Sequence, residues 1–186
     1  MVVQGTKQGW LYVFNRETGE PVWPIEERPV PQTDVPGEKT WPTQPFVTKP
    51  PAFEMQGLRE EDLIDFTPEL REQALELTKG VRMLDHPFNP PSLYNANSGA
   101  RGSVVMPAAN GGANIPGGLA VDPETGIVYT ATIRSGSAYS LAPGSERNVR
   151  FFGAKPGPST MDFIQGPGGL RGPQGLPLWK PPYGSI

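Results

Sequence analysis

Two five-residue turns constrain this chain more than anything else in it: Asn15-Arg16-Glu17-Thr18-Gly19 and Asp122-Pro123-Glu124-Thr125-Gly126. Each begins with a side-chain oxygen that can accept from the backbone a few residues on. Each ends in glycine, which enters the left-handed region without a Cβ penalty. The flanks are apolar and β-prone. Leu11 to Phe14 precede the first turn and Val22-Trp23 follow it; Leu119-Ala120-Val121 and Ile127-Val128-Tyr129 bracket the second. This is the pattern of strand, tight turn and return strand. A chain that carries it twice is expected to be all-β and built from small antiparallel sheets.

Proline and glycine set the next limit. The 186 residues include 24 Pro and 23 Gly, a level at which long irregular stretches are expected. Hydrophobic residues make up 36%, so a core must come from short strands and scattered aromatics. The net charge of −3 and the dispersed basic residues argue against a nucleic-acid partner. Cysteine is absent, which excludes disulfides, thiolate nucleophiles and Cys-ligated zinc. The single histidine, His86, excludes His-pair metal motifs and reads as a loop residue with no identifiable acid–base partner. No stretch is apolar for long enough to cross a bilayer. Met1 to Lys7 reads as the middle of a strand and Pro182 to Ile186 as a strand just beginning, so the expectation is an internal fragment.

The chain divides into four spans. Residues 1–23 form a hairpin with Lys7 at the start of its first strand. Residues 24–101 form a proline-punctuated insertion; up to Pro51 its composition also suits a flexible linker, but Trp23, Ile25, Val35, Trp41, Phe46 and Phe53 favour an irregular or extended crossing packed on the rest. Within it Thr67-Pro68-Glu69 supplies N-cap, first-turn proline and acid, and Lys79-Gly80 the stop, predicting a helix near 68–79 with Leu70, Ala74 and Leu77 on its apolar face. Residues 102–134 carry a short strand at Gly102 to Pro107, then the glycine-crowded loop Asn110 to Gly118, then the hairpin through Asp122 to Thr132. Residues 135–186 read as a long Gly/Pro-rich loop. Its collagen-like triplets at 169–177 are too few for a triple helix, and Gly166 to Gly169 does not complete a dinucleotide fingerprint. Repeated hairpins of this kind are what the blades of a β-propeller show.

Several stretches together resemble the quinoprotein dehydrogenases, and more narrowly the membrane-bound glucose-dehydrogenase branch that depends on pyrroloquinoline quinone (PQQ). They are Thr6-Lys7-Gln8-Gly9, the turn Asn15-x-x-Thr18-Gly19-Glu20-x-x-Trp23, Glu26 to Gln32, Pro42 to Phe46, Asp62 to Leu70, and Gly172 to Leu178. The resemblance implies about two incomplete blades of an eight-bladed propeller, with Trp23 as a wedge between blades. It implies PQQ and calcium as cofactors, with a sugar or alcohol hydroxyl oxidised by hydride transfer to the quinone and electrons passing on to respiratory quinone. It also implies a periplasmic protein and allows a membrane anchor in a segment outside this chain.

For the residues here, the resemblance makes Lys7 a cationic contact to the quinone oxygens. It makes Asn114 an amide contact to the cofactor, although Ile115 stands where the family pattern has tryptophan. The catalytic Asp and the calcium ligands are expected outside this chain, so no catalytic or metal-binding residue is assigned within it, and the chain alone is expected to be inactive. A non-catalytic propeller scaffold or interaction module is the alternative that the turns alone leave open.

Overall fold

The computed structural model describes residues 1–113, 118–146 and 159–186. Among these residues strands dominate, with one α-helix. The first hairpin joins β1 (Val2–Gly5) to β2 (Leu11–Phe14), antiparallel, with Gly5 opposite Leu11. Lys7 therefore lies at the tip of a turn between two strands rather than at a strand's start. The Thr6 N–H donates to the Trp10 carbonyl (2.9 Å) and the Gly9 N–H to the Thr6 carbonyl (3.0 Å), closing that tip. Beyond the Asn15 turn, the expected return strand at Val22-Trp23 shrinks to a single bridge between Phe14 and Pro21, with one further bond from the Val22 N–H to the Val13 carbonyl. From Pro24 on the chain turns away to pair with residues 43–47 instead, the Pro24 carbonyl accepting from the Thr48 N–H at 3.2 Å. Trp23 remains 36% exposed.

The proline-punctuated stretch is an ordered, extended crossing and not a linker, with irregular backbone between its two strands at 30–42. It forms a second hairpin, β3 (Ile25–Pro29) against β4 (Thr43–Val47), in five-pair register. Prolines are tolerated because a two-stranded sheet has a free outer edge on each strand, where no N–H is required. Helix α1 (Pro68–Thr78) follows; the Thr67 hydroxyl accepts from the Leu70 N–H at 3.2 Å. Its packed face is Leu70, Ala74, Leu75 and Thr78, with Ala74 fully buried. Leu77, placed on that face by spacing, is not among the residues packed on the core.

The remaining strands are short: β5 (Ser92–Asn95), β6 (Ala100–Arg101), β7 (Ser103–Val105), β8 (Gly112–Ala113), β9 (Ala120–Val121), β10 (Val128–Tyr129) and β11 (Thr132–Ile133). The exception is β12 (Ser137–Pro143), followed by β13 (Phe163–Gln165) and β14 (Gly184–Ser185). So the Gly/Pro-rich span 135–186 is not simply a loop: it holds the longest strand described. Ser137 to Leu141 supplies small and β-prone residues free of proline, which lets β12 pair with β5, β7 and β13. A separate sheet runs β14–β11–β8, and β9 pairs β10. Among the described residues no sheet closes on itself.

The core gathers spans that are distant in sequence. Leu58, Leu63, Ile64 and Ala74 come from the insertion, Val104 and Met106 from the region of β7, and Leu178 from near the C-terminus. Each fully buried large aliphatic side chain contributes roughly 1.5–3 kcal/mol relative to exposure. The backbone bond from the Ile64 N–H to the Leu178 carbonyl (2.9 Å) ties the same spans together. The insertion is thus a structural member of the fold, packed against the β7 region and the C-terminal span.

Candidate functional site

Lys7 is exposed at the tip of the β1–β2 hairpin, and its ammonium forms no ion pair with any described carboxylate. It borders an open cavity of about 350 Å³ lined also by Pro87, Phe88, Val105, Pro107 and Tyr139. This volume falls within the roughly 300–1,000 Å³ of small-molecule sites. One cation beside aromatic and proline faces suits a flat organic anion. A larger cavity, about 460 Å³, opens along β1 and β9 between Val3, Gly5, Leu119 and Val121; among the described residues no charged side chain lines it, so it lacks the chemistry that Lys7 offers.

Phe88, in the wall of the Lys7 cavity, belongs to a packed aromatic cluster. Trp10, only 4% exposed, packs against Phe46 (ring centroids 4.9 Å apart) and Phe88 (5.7 Å), and Phe46 meets Phe88 edge-on at 5.6 Å. His86 completes the cluster at 5.7 Å from Phe46, its Nδ1 accepting from the Phe88 N–H at 3.0 Å. Burial pushes the His86 imidazole below its ordinary value, against the opposing pull of Asp85. His86 is therefore a neutral packing and loop-closing residue.

The structure brings the Lys7 turn against the strand that leads into Asn114. The Ala113 N–H donates to the Thr6 carbonyl at 3.1 Å. At Gly112 the backbone has φ +67, and a Cβ there would lie 2.1 Å from the Lys7 carbonyl oxygen, so only glycine permits this approach. Asn114 itself lies outside the described residues. The segments carrying the two expected cofactor contacts are hydrogen-bonded neighbours, whereas the sequence separates them by more than a hundred positions.

Sequence reasoning missed the ion pair beneath this turn. Glu54 is buried, and its Oε1 accepts from Arg134 Nε at 2.7 Å and from the Met55 N–H at 2.8 Å; Thr132 Oγ1 donates to its Oε2 at 3.2 Å. Nothing in the sequence pairs residues 80 positions apart. The only signal is a lone acid after Pro50-Pro51-Ala52-Phe53 in an apolar run. Among the described residues, no group of three His, Cys, Asp or Glu side chains could hold a metal ion.

Comparison with known proteins adds independent evidence. The family model described as PQQ, glucose/ethanol/alcohol dehydrogenase, beta-propeller domain, matches residues 1–186. A probable quinate dehydrogenase (quinone) of Xanthomonas campestris pv. juglandis is 30% identical over 197 residues, covering 100% of this chain and 23% of that protein. The glycerol dehydrogenase large subunit of Gluconobacter thailandicus is 28% identical over 210 residues, covering 100% of this chain and 26% of that protein. A quinoprotein glucose dehydrogenase of Gluconobacter oxydans is 32% identical over 145 residues, covering 77% of this chain and 16% of that protein. The chain thus spans about a quarter of the length of the first of these relatives. No solved structure matches it significantly.

Proposed function

We propose, since the chain belongs to the family of PQQ glucose/ethanol/alcohol dehydrogenase β-propellers, that it is part of a quinoprotein dehydrogenase to which it contributes Lys7 as a cofactor contact. The observation that carries this reading is the unpaired Lys7 ammonium at a cavity of cofactor size, on a turn bonded to the strand that leads into Asn114. PQQ, when bound, supplies the acceptor for the hydride that leaves a substrate carbon. An ammonium at Lys7 would hold the cofactor's anionic groups and favour its reduced, more negative form. Phe88 and Tyr139 would shield one side of a flat ring from water, and Asn114 would add an amide hydrogen bond. The acid–base residue and the calcium ligands belong to other parts of the whole protein in this reading.

The substrate is a sugar or alcohol hydroxyl. The relatives' names point the same way, since quinate, glycerol and glucose are all polyhydroxylated. A respiratory quinone as electron acceptor is supported by the word quinone in the quinate relative's name. Oxidation at the periplasmic face of the membrane completes the proposal. The architecture is about two incomplete blades of an eight-bladed propeller, with the helix-bearing insertion packed on them.

The test is cofactor titration of the full-length apoprotein in the presence of calcium. Lys7→Ala is expected to weaken PQQ binding tenfold or more, which is at least about 1.4 kcal/mol, and Lys7→Arg to retain most of it. Equal affinity of wild type and Lys7→Ala would sink the assignment. The isolated 186-residue chain is expected to give no dye reduction with PQQ, calcium and sugar.

A further inference from the structure

The backbone of the Lys7 turn is enclosed by contacts that the hairpin does not supply. Three of its four carbonyls accept from elsewhere in the chain. The Thr6 carbonyl takes the Ala113 N–H of β8 at 3.1 Å, the Gly9 carbonyl takes the Phe53 N–H at 2.9 Å, and the Gln8 carbonyl takes the Gln56 side-chain amide. Two of these three donors sit on one short strip, Phe53 to Gln56. Between them Glu54 turns its carboxylate the other way, onto Arg134 Nε and Thr132 Oγ1. Thr132 lies in β11 directly opposite Ala113 of β8, and Ala113 is the residue that bonds Thr6. The contacts therefore close into a ring: turn, strip, Glu54, β11, β8, turn. Gly9 packs so closely on the strip that a Cβ there would stand 2.9 Å from the Glu54 Cβ.

We infer that Glu54 and Gln56 are positioning residues for the Lys7–cofactor contact, a role that rests on the assignment of Lys7 above. Gln56 holds the tip of the turn through the Gln8 carbonyl, and Glu54, anchored to Arg134 and Thr132, holds the strip that carries Gln56. A flexible lysine stem on a mobile turn loses entropy on binding an anion; a turn fixed from two sides has already lost part of it. The insertion thereby acquires a task beyond packing, because it sets the frame from which the lysine reaches the cavity.

The experiment is a double-mutant cycle in the full-length protein, combining Gln56→Met and Glu54→Gln each with Lys7→Ala. It is read by PQQ affinity of the apoprotein and by hydrogen exchange of the peptide covering residues 6–10 without cofactor. Gln56→Met keeps the side chain's length and removes its amide, and with it the donor to the Gln8 carbonyl. It is expected to weaken PQQ binding three- to tenfold and to speed exchange in the turn, with the melting temperature unchanged. Glu54→Gln is expected to act in the same direction. In the Lys7→Ala background neither change should weaken binding further, because residues acting through one contact are non-additive. Full additivity, or wild-type affinity in Gln56→Met, would overturn the positioning role while leaving Lys7 as a contact. Should Lys7→Ala itself bind PQQ normally, both assignments fall together.

Discussion

Strand β2 ends in two tight turns that look alike in backbone and differ in what holds them. Gly9 at one end has φ +77 and Gly19 at the other φ +76. The Asn15 turn is closed by its own residues. Asn15 Oδ1 accepts from the Glu17 and Thr18 N–H groups at 2.8 and 3.4 Å, and the Gly19 N–H returns to the Asn15 carbonyl at 2.9 Å. Nothing stands within 4 Å of where a Gly19 Cβ would be. The Lys7 turn closes on itself only in part and takes its remaining partners from residues 53–56 and β8. A self-sufficient turn can tolerate almost any surroundings. One fastened by distant segments has a fixed place in the fold, and a fixed place is what a ligand contact requires.

The sharpest way to break this comparison is to put the same side chain at both glycines. Gly19→Ala carries only the left-handed backbone penalty, about 1–2 kcal/mol. Gly9→Ala carries that penalty plus overpacking against the Glu54 Cβ at 2.9 Å and the Glu54 backbone nitrogen at 3.2 Å, which adds roughly 1–3 kcal/mol. Denaturant midpoints of the two variants in the full-length protein should therefore differ, with Gly9→Ala the lower and PQQ affinity reduced only there. Equal midpoints would mean that the 53–56 strip gives way freely and holds nothing in place.

A smaller effect is expected from the side chain that closes the self-sufficient turn. Asn15→Ala removes an acceptor from two exposed N–H groups that water can satisfy instead, so the loss should be no more than about 0.5–1.5 kcal/mol. Cofactor affinity should not change, because the bonds at that turn lie within it. A fall in PQQ affinity for Asn15→Ala would erase the distinction between the two turns.

The same contrast explains what could be read from the residues alone. The Asn15 and Asp122 turns and helix α1 carry their signals locally: an Asx acceptor with glycine four positions on, or Thr67, Pro68 and Gly80 around an apolar stripe. A third turn of the same build, Asn95 to Gly99, uses Ser98 in place of threonine, and Asn95 Oδ1 accepts from the Asn97 N–H at 2.9 Å. Its relaxed pattern and its proline-rich approach hid it. The β3–β4 hairpin was hidden because prolines on free edges look like prolines in a linker. The role proposed for Lys7 comes from resemblance, and its setting could not be read from the residues. Which residues fasten the turn depends on a Glu54–Arg134 pair and a Thr132–Ala113 register, and no period or motif spans those distances.

The Asn15 and Asp122 turns also differ from one another, since only in the second does the acceptor on the first residue titrate. Asp122 is held below its ordinary carboxyl value of 3.8, first by the Thr125 hydroxyl, which donates to Oδ2 at 2.6 Å, and then by the Glu124 N–H at 2.9 Å from Oδ1. A lowered folded value means the stabilisation is complete above 3.8 and is lost as pH falls through the folded value. Protonation takes the charge from both bonds, whereas the Asn15 amide keeps its acceptor at any such pH. Hydrogen exchange of the Gly126 amide, corrected for its intrinsic pH dependence, should therefore lose protection on acidification below 3.8 while Gly19 does not. Asp122→Asn should abolish the difference. If the two glycines respond alike in the wild-type protein, the carboxylate is not what closes the second turn, and the backbone bond from the Gly126 N–H to the Asp122 carbonyl at 2.8 Å holds it instead.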